Sequence, residues 1–334
     1  MKRFRSYPIR VYLGLCLATA ALLFPCCRRS EPSSNSQKPR QLIVFNAGSL
    51  AGPVSDLLTE FARLHPAITP QQENSGSLEA VRKITELGKP CDVLAVADYE
   101  VIPSLLMPQR ADWYVVFARN QLVLIYTPKS RFSDQIDSDN WHEVLLRPGV
   151  RYGYSNPDLD PAGYRTLLHW ELAEKYYHKP GLSEQLKAGV PASNIRAKSV
   201  ELVALLESGE LDYIYCYRSI AEEHKLPFLS FPAEIDFSDP AKGDFYALAE
   251  TDVAGKLPGE RIKIKGGAIR YGLTIPASAP NRDVAEEFVE FLLSAEGQTI
   301  MRENHLMTIS PAMANEVRNV PARLQSKVIP MRVD

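Results

Sequence analysis

The chain has 334 residues, enough for two domains with real cores, and its 45% hydrophobic and 23% charged residues are ordinary for a soluble globular protein. A formal net charge of −2, with no basic block and no interleaved aromatic stripe, removes any electrostatic reason to expect nucleic acid or an anionic membrane surface as partner.

The first residues read as an address rather than as fold. Lys2, Arg3, Arg5 and Arg10 precede the apolar run VYLGLCLATAALLF, and Pro25, Cys26 and Cys27 follow it. A basic start, a short apolar core and a brief exit predict an export signal over 1–27; the run is too short for a comfortable membrane span. Cys26 or Cys27 is a candidate lipidation site, which predicts an exported chain, periplasmic or at the cell surface and tethered by lipid. Residues 28–40, RRSEPSSNSQKPR, suit a flexible tether. Past the signal only Cys91 and Cys216 remain, and two distant cysteines make no disulfide framework. Both are expected buried and unpaired.

From Leu42 the pattern is α/β. Leu42 to Phe45 form an apolar run suited to a buried parallel strand, and the turn Asn46-Ala47-Gly48 leads to Ser49 and a predicted helix over about 50–64. Pro53 falls in that helix's first turn, where proline is tolerated. A short extended piece reaches Asn74-Ser75-Gly76-Ser77, then a helix with Leu78, Val81, Ile84 and Leu87 on one face and Gly88 at its end. DVLAVA, 92–97, reads as another buried strand. RNQLVLIYT, 119–127, is predicted to be one longer strand, RYGYS, 151–155, a short one, and AGYRTLLHWELAEKYYH a helix. A Ser-preceded helix over 200–208 ends at Gly209 and feeds the strand DYIYCY, 212–217. A loop-rich, acidic piece runs to about 259, GGAIRYGLTIP makes a second long strand, and 283–304 is strongly helical, its helices completing the first lobe. The simplest architecture is two α/β lobes joined by two crossing strands: 41–125 with 268–334, and 126–267. Such lobes close on a ligand by hinge motion.

One local unit recurs. Gly48-Ser49, Gly76-Ser77, Asp160-Pro161 and Lys198-Ser199 each stand after a strand end and before a helix, two in either lobe. If the strand ends face one cleft, four helix N-termini converge there and attract an anion. Each is worth up to ~2 kcal/mol in a partly buried geometry, so ~8 kcal/mol together. That corresponds to about micromolar binding. Tyr217, closing DYIYCY, adds a phenolic donor. No Arg or Lys belongs to the set.

VFNAGSL, SGSLEAVRKITELGKPCDVLAVADY, ADWYVVFARN, DPAGYR and LLESGELDYIYCYRS resemble, in order, the tungstate/molybdate-binding proteins of ABC transporters, archaeal-type branch, over about 41–305. The resemblance implies the two-lobed periplasmic-binding-protein type II fold and permease subunits as partners. It implies that Gly48, Ser49 and Ser77 bind oxyanion oxygens, that Asp160 lies beside the metal centre, and that Tyr217 donates from the second lobe. Where the family has a Glu that, with the Asp, makes the metal six-coordinate, this chain has Ser199. A hydroxyl and an N–H there suit a tetrahedral anion, and Glu201 is a badly phased substitute.

Asp160 keeps two readings. It is a favoured N-cap ahead of Pro161. As a site residue it repels a fully ionised dianion unless it coordinates the metal or accepts a proton from the ligand. NPDLDPAG lacks the Glu that a calcium loop needs at its twelfth position, the six His residues show no metal-ligand spacing, and no nucleophile, phosphate-loop or dinucleotide motif occurs. Arg82, Lys83 and Arg165 are expected on solvated faces or in lobe–lobe pairs. The sequence therefore points to a monomeric binding protein without a resident cofactor, carrying tungstate or molybdate. A phosphate or sulfate carrier is the alternative, and a secreted hydrolase on the same fold is the rival from another class.

Overall fold

A computed structural model describes residues 40–331 apart from 256 and 258. The export signal, Cys26, Cys27 and nearly all of the tether lie outside the described residues. Arg40, counted with the tether, already begins a strand.

The strands in chain order are β1 (Arg40–Ala47), β2 (Ile68–Ser75), β3 (Val93–Val96), β4 (Val115–Arg119), β5 (Leu122–Tyr126), β6 (Tyr152–Ser155) and β7 (Ile195–Arg196). They continue with β8 (Tyr213–Tyr217), β9 (Phe228–Ser230), β10 (Glu250–Ala254), β11 (Arg261–Lys265), β12 (Arg270–Thr274), β13 (Met307–Ala314) and β14 (Val328–Pro330). The helices are α1 (Ala51–Leu64), α2 (Ser77–Thr85), α3 (Val101–Leu105), α4 (Trp141–Leu145), α5 (Pro161–Tyr176) and α6 (Leu182–Ala188). After them come α7 (Glu201–Glu207), α8 (Arg218–Glu223), α9 (Gly243–Tyr246), α10 (Arg282–Leu292) and α11 (Ala295–Glu303).

Two sheets carry two lobes. A seven-stranded sheet runs in the order β14-β13-β4-β12-β3-β1-β2, and a five-stranded sheet in the order β7-β6-β8-β5-β9. In the first, β1 pairs in parallel with β2 and β3, so Leu42, Val44, Val93 and Val96 are wholly buried between layers. In the second, β6 and β8 are parallel. Parallel strands send their carboxyl ends to one edge, and there the loops face the other lobe.

The expected strand over 119–127 is two strands. β4 pairs with β12 and β13, whereas β5 pairs with β8 and β9 in the other sheet. The chain crosses between lobes at Asn120-Gln121, so Leu122–Tyr126, most of which the sequence reading gave to the first lobe, stands in the second sheet. The return crossing is 266–269, just before β12. The crossings touch: the Asn120 N–H donates to the Ile269 carbonyl at 3.3 Å.

One further expectation is met and another is corrected. The strongly helical C-terminal stretch is α10 and α11, separated at Ser294, which turns extended and caps α11, its Oγ accepting from the Gly297 N–H at 3.2 Å. The supposedly loop-rich stretch before residue 259 contains β10, which pairs antiparallel with β11.

Candidate functional site

β1 ends in Gly48-Ser49, β2 in Gly76-Ser77, and Ala97-Asp98 follows β3; these are the first lobe's strand tips. From the second lobe come Asp160 after β6, Ser199 after β7 and Tyr217 at the end of β8. All of Ser49, Ser77, Asp160, Ser199 and Tyr217 are buried.

The serine hydroxyls are held by their own lobe. Ser77 Oγ accepts from the Ala97 N–H at 3.0 Å, which leaves its own hydrogen to donate. Ser49 Oγ lies 2.9 Å from the Tyr271 hydroxyl. In the other lobe, the Tyr217 hydroxyl accepts from Arg165 Nη1 at 2.6 Å, so it too has a hydrogen left. The rings of Tyr217 and Tyr271 stand 6.1 Å apart, edge to face, joining the two sets.

Asp160 caps α5 as its local sequence predicts. Its Oδ1 accepts from the Ala162 N–H at 3.3 Å with Pro161 at the first helical position, and its Oδ2 accepts from the Ser199 N–H at 2.7 Å. Burial pushes this carboxyl above the ordinary Asp value, partly offset by the Ser199 N–H. Ser199 precedes α7 rather than capping it; the cap position is Val200. Glu201 is exposed and faces Lys198 Nζ at 3.9 Å, so it does not replace the missing carboxylate.

The expectation of four open helix N-termini is corrected. Ser49 lies in a 3-10 turn, Gly48–Leu50, ahead of α1 and caps nothing by its side chain. The Leu78 and Glu79 N–H groups of α2 donate across the cleft to the Leu159 carbonyl at 3.1 and 3.4 Å. In α7, the Glu201 N–H turns back to the Lys198 carbonyl at 3.1 Å. These groups are engaged by protein, so hydroxyl donors rather than bare helix dipoles are what the cleft offers an anion.

Two glycines show how tightly the lobes meet. A Cβ built on Gly76 would stand 2.1 Å from the Leu159 carbonyl oxygen, and one on Gly48 3.3 Å from Val200 Cγ2. Neither position needs glycine for its backbone angles at the contact; the opposing lobe demands it.

Arg165 is the group that sequence reasoning kept outside the set. It is buried, its Nη1 also donates to the Ala97 carbonyl at 2.8 Å, and its Nη2 pairs with Asp98 Oδ2 at 3.1 Å, which the Tyr164 hydroxyl reaches at 2.5 Å. It is a lobe–lobe pair, as expected, yet it puts a cation one hydrogen bond behind Tyr217. Asp98 balances that charge. Arg82 also ties the lobes, to the carbonyls of Asp158 and Ala254, whereas Lys83 pairs with Glu73 and Glu79 of its own lobe. Asn120 and Tyr271 were missed because neither carries a motif; only their place on the crossings marks them. A crevice of 580 Å³ opens beside the Asp98–Arg165 pair, with Lys263, Lys265 and Arg270 in its wall. Cys91 and Cys216 are buried and unpaired, as expected. Among the described residues no His, Cys, Asp and Glu cluster could hold a metal ion.

Two α/β lobes, joined by paired crossings and meeting over buried hydroxyls, define the class of two-lobed solute-binding proteins. The chain belongs to the bacterial extracellular solute-binding protein family, whose sequence model matches residues 42–306. That membership places it with the extracellular substrate-binding proteins of transport systems. It is 44% identical to an uncharacterised solute-binding protein of Petrotoga mobilis, covering 85% of this chain and 89% of that one. It is 39% identical to the molybdate/tungstate-binding protein WtpA of Pyrococcus abyssi, covering 95% and 98%. The Azotobacter vinelandii periplasmic molybdate-binding protein shares the fold, with a TM-score of 0.54 at 20% identity over 80% of this chain and 98% of that one.

Proposed function

We propose that this protein captures tungstate or molybdate, as the tetrahedral dianion, between its lobes and delivers it to the permease of an ABC transporter. The observation that carries this reading is the donor character of the cleft. The hydroxyls of Ser77 and Tyr217 each already accept an N–H, so each has its own hydrogen to give to an oxyanion oxygen. Ser49 lies beside them with Tyr271 at its back. Gly48 lets the Ser49 turn sit against the second lobe. A ligand with no protons, four acceptor oxygens and compact shape matches such donors. The name of the Pyrococcus relative supports the choice of anion.

Asp160 is held away from a metal role in this reading. Both its oxygens accept backbone N–H groups, one of them from Ser199, where a carboxylate would complete a six-coordinate metal. With Ser199 rather than a second carboxylate beside Asp160, the anion is read as staying four-coordinate. It is cargo, and no resident cofactor is required. The protein works as a monomer, anchored outside the cytoplasm by lipid on Cys26 or Cys27, which mass spectrometry of the mature N-terminus checks.

Titration calorimetry with tungstate, molybdate, sulfate and phosphate tests the proposal. Tungstate and molybdate are expected to bind more tightly than sulfate, with phosphate weakest because its protonated forms bring a donor to a donor site. Tighter binding of phosphate than of tungstate would overturn the assignment.

A further inference from the structure

We propose that Asn120, on the crossing between the lobes, is a positioning residue that fixes Ser49 as a hydrogen-bond donor to the captured anion, acting through Tyr271. The inference rests on the oxyanion reading and adds a determinant of it outside the strand-tip set.

The orientation of the Asn120 amide is settled by its neighbours. Its Oδ1 accepts two backbone N–H groups, from Gln121 at 2.9 Å and from Ser219 at 3.3 Å. Turning the amide over would set an NH2 group against both of those donors. With Oδ1 fixed, Nδ2 has two hydrogens and two partners: Ser219 Oγ at 2.7 Å and the Tyr271 hydroxyl at 2.9 Å. Tyr271 is thereby an acceptor from Asn120. Its single hydrogen is free for the other neighbour, Ser49 Oγ at 2.9 Å.

Ser49 then accepts from Tyr271 and must direct its own hydrogen elsewhere, into the cleft. Asn120, Ser219, Tyr271 and Ser49 are all buried, so water does not compete for these groups. The Tyr271 ring cannot swing aside, because it lies between Phe117, 6.3 Å away, and Tyr217, 6.1 Å away. Burial also pushes the Tyr271 hydroxyl well above its ordinary value, so it keeps its hydrogen at every working pH. Each bond in the series polarises the next, which makes Ser49 a better donor than an isolated serine. Ser49 thus joins Ser77 and Tyr217 as a hydroxyl already loaded with a donated hydrogen.

A double-mutant cycle tests the relay, with tungstate as the probe and calorimetric affinity as the readout. In the Ser49 background, Tyr271→Phe and Asn120→Ala are each expected to weaken tungstate binding about tenfold, since a donor to an anion loses its alignment. In the Ser49→Ala background both are expected to change affinity by less than about twofold, because nothing remains to align. A general structural role would give the same loss in both backgrounds, and that result would overturn the proposal. Tyr271→Phe keeps the ring and its packing, so it decides the matter should Asn120→Ala fail to fold. If Ser49→Ala alone leaves tungstate affinity unchanged, the oxyanion reading of Ser49 fails instead, a different outcome from an additive cycle.

Discussion

The seven-stranded lobe buries mainly aliphatic side chains and phenylalanines behind its strand tips, Val44, Leu57, Val93, Leu273, Phe61 and Phe117 among them, whereas most of the rings that the five-stranded lobe buries are polar-tipped Trp and Tyr. In the latter, Trp141 meets Phe231 at 5.1 Å and Trp170 meets Tyr215 at 5.6 Å, both edge to face. The site follows the same division. The first lobe presents neutral hydroxyls, Ser49 and Ser77, each steadied from within that lobe. The second presents Asp160, Arg165 and Tyr217, ionisable groups that need a large polar-tipped core to hold them. An aliphatic core excludes water but supplies no donors. Aromatic residues with a hydroxyl or ring N–H do both, as where the Tyr152 hydroxyl donates to the Leu186 carbonyl at 2.8 Å. The first lobe thus sets the shape of the serine donors, and the charge behind Tyr217 is balanced across the lobe contact, by Arg165 from the second lobe and Asp98 from the first.

The sharpest way to break this division is to remove the buried cation. Arg165→Met leaves Asp98 without its charge partner at the lobe contact, and the expected cost is about 3–5 kcal/mol of unfolding free energy in urea. A loss below about 1 kcal/mol would show that the pair is not a buried one in solution. Next comes closure. Gly76→Ala has backbone angles that alanine accepts, φ −64° and ψ 149°, so the first lobe should keep its melting temperature. Its new Cβ meets the Leu159 carbonyl, however, and the lobes cannot meet. Tungstate affinity is expected to fall by about 2 kcal/mol or more, with a larger radius in small-angle scattering. Equal affinity would separate the Leu159 contact from the ligand-bound form.

Smaller still is the loss of one hydroxyl. Ser77→Ala is expected to cost about 1–3 kcal/mol of binding, because it removes a donor and strands the Ala97 N–H. Titration calorimetry reads it directly, and an unchanged affinity would remove Ser77 from the donor array. The mildest test is acid titration of the second lobe. His169 is buried, its Nδ1 2.8 Å from the Ile235 carbonyl, and burial lowers its pKa from 6.5 to about 3. Between those values the unfolded chain binds the proton and the folded chain does not. Stability is therefore lost as pH falls through that window, by on the order of 1 kcal/mol per pH unit, and His169→Phe should flatten the slope.

Much of this was legible in the sequence, and the failures have physical reasons. The parallel strands β1, β3, β6 and β8 announce themselves as short apolar runs ended by small or polar residues. Asp160-Pro161 reads as a cap and is one. Gly88 and Gly209 adopt the left-handed angles, φ +61° and +77°, that end a helix. β13 was not seen because Pro311 interrupts it, and the strand accommodates the proline only through a register shift between Thr308 and Met313. β11 was missed although RIKIK alternates, because charge dominates an exposed hairpin strand. The break at Asn120-Gln121 is marked by no Gly or Pro, and a single Asn between two apolar runs does not by itself announce a change of sheet. Whether a helix N-terminus is open depends on what the other lobe places there. That is why α2 looked available to an anion until Leu159 was seen to occupy it.

The central claim is that neutral donors hold an anion that keeps its own four oxygens, with Asp160 engaged by the N–H groups of Ser199 and Ala162. Tungsten L-edge X-ray absorption on the loaded protein measures this most directly. The account predicts four short tungsten–oxygen bonds; six oxygens around the metal would mean that protein carboxylate enters its shell and would contradict it.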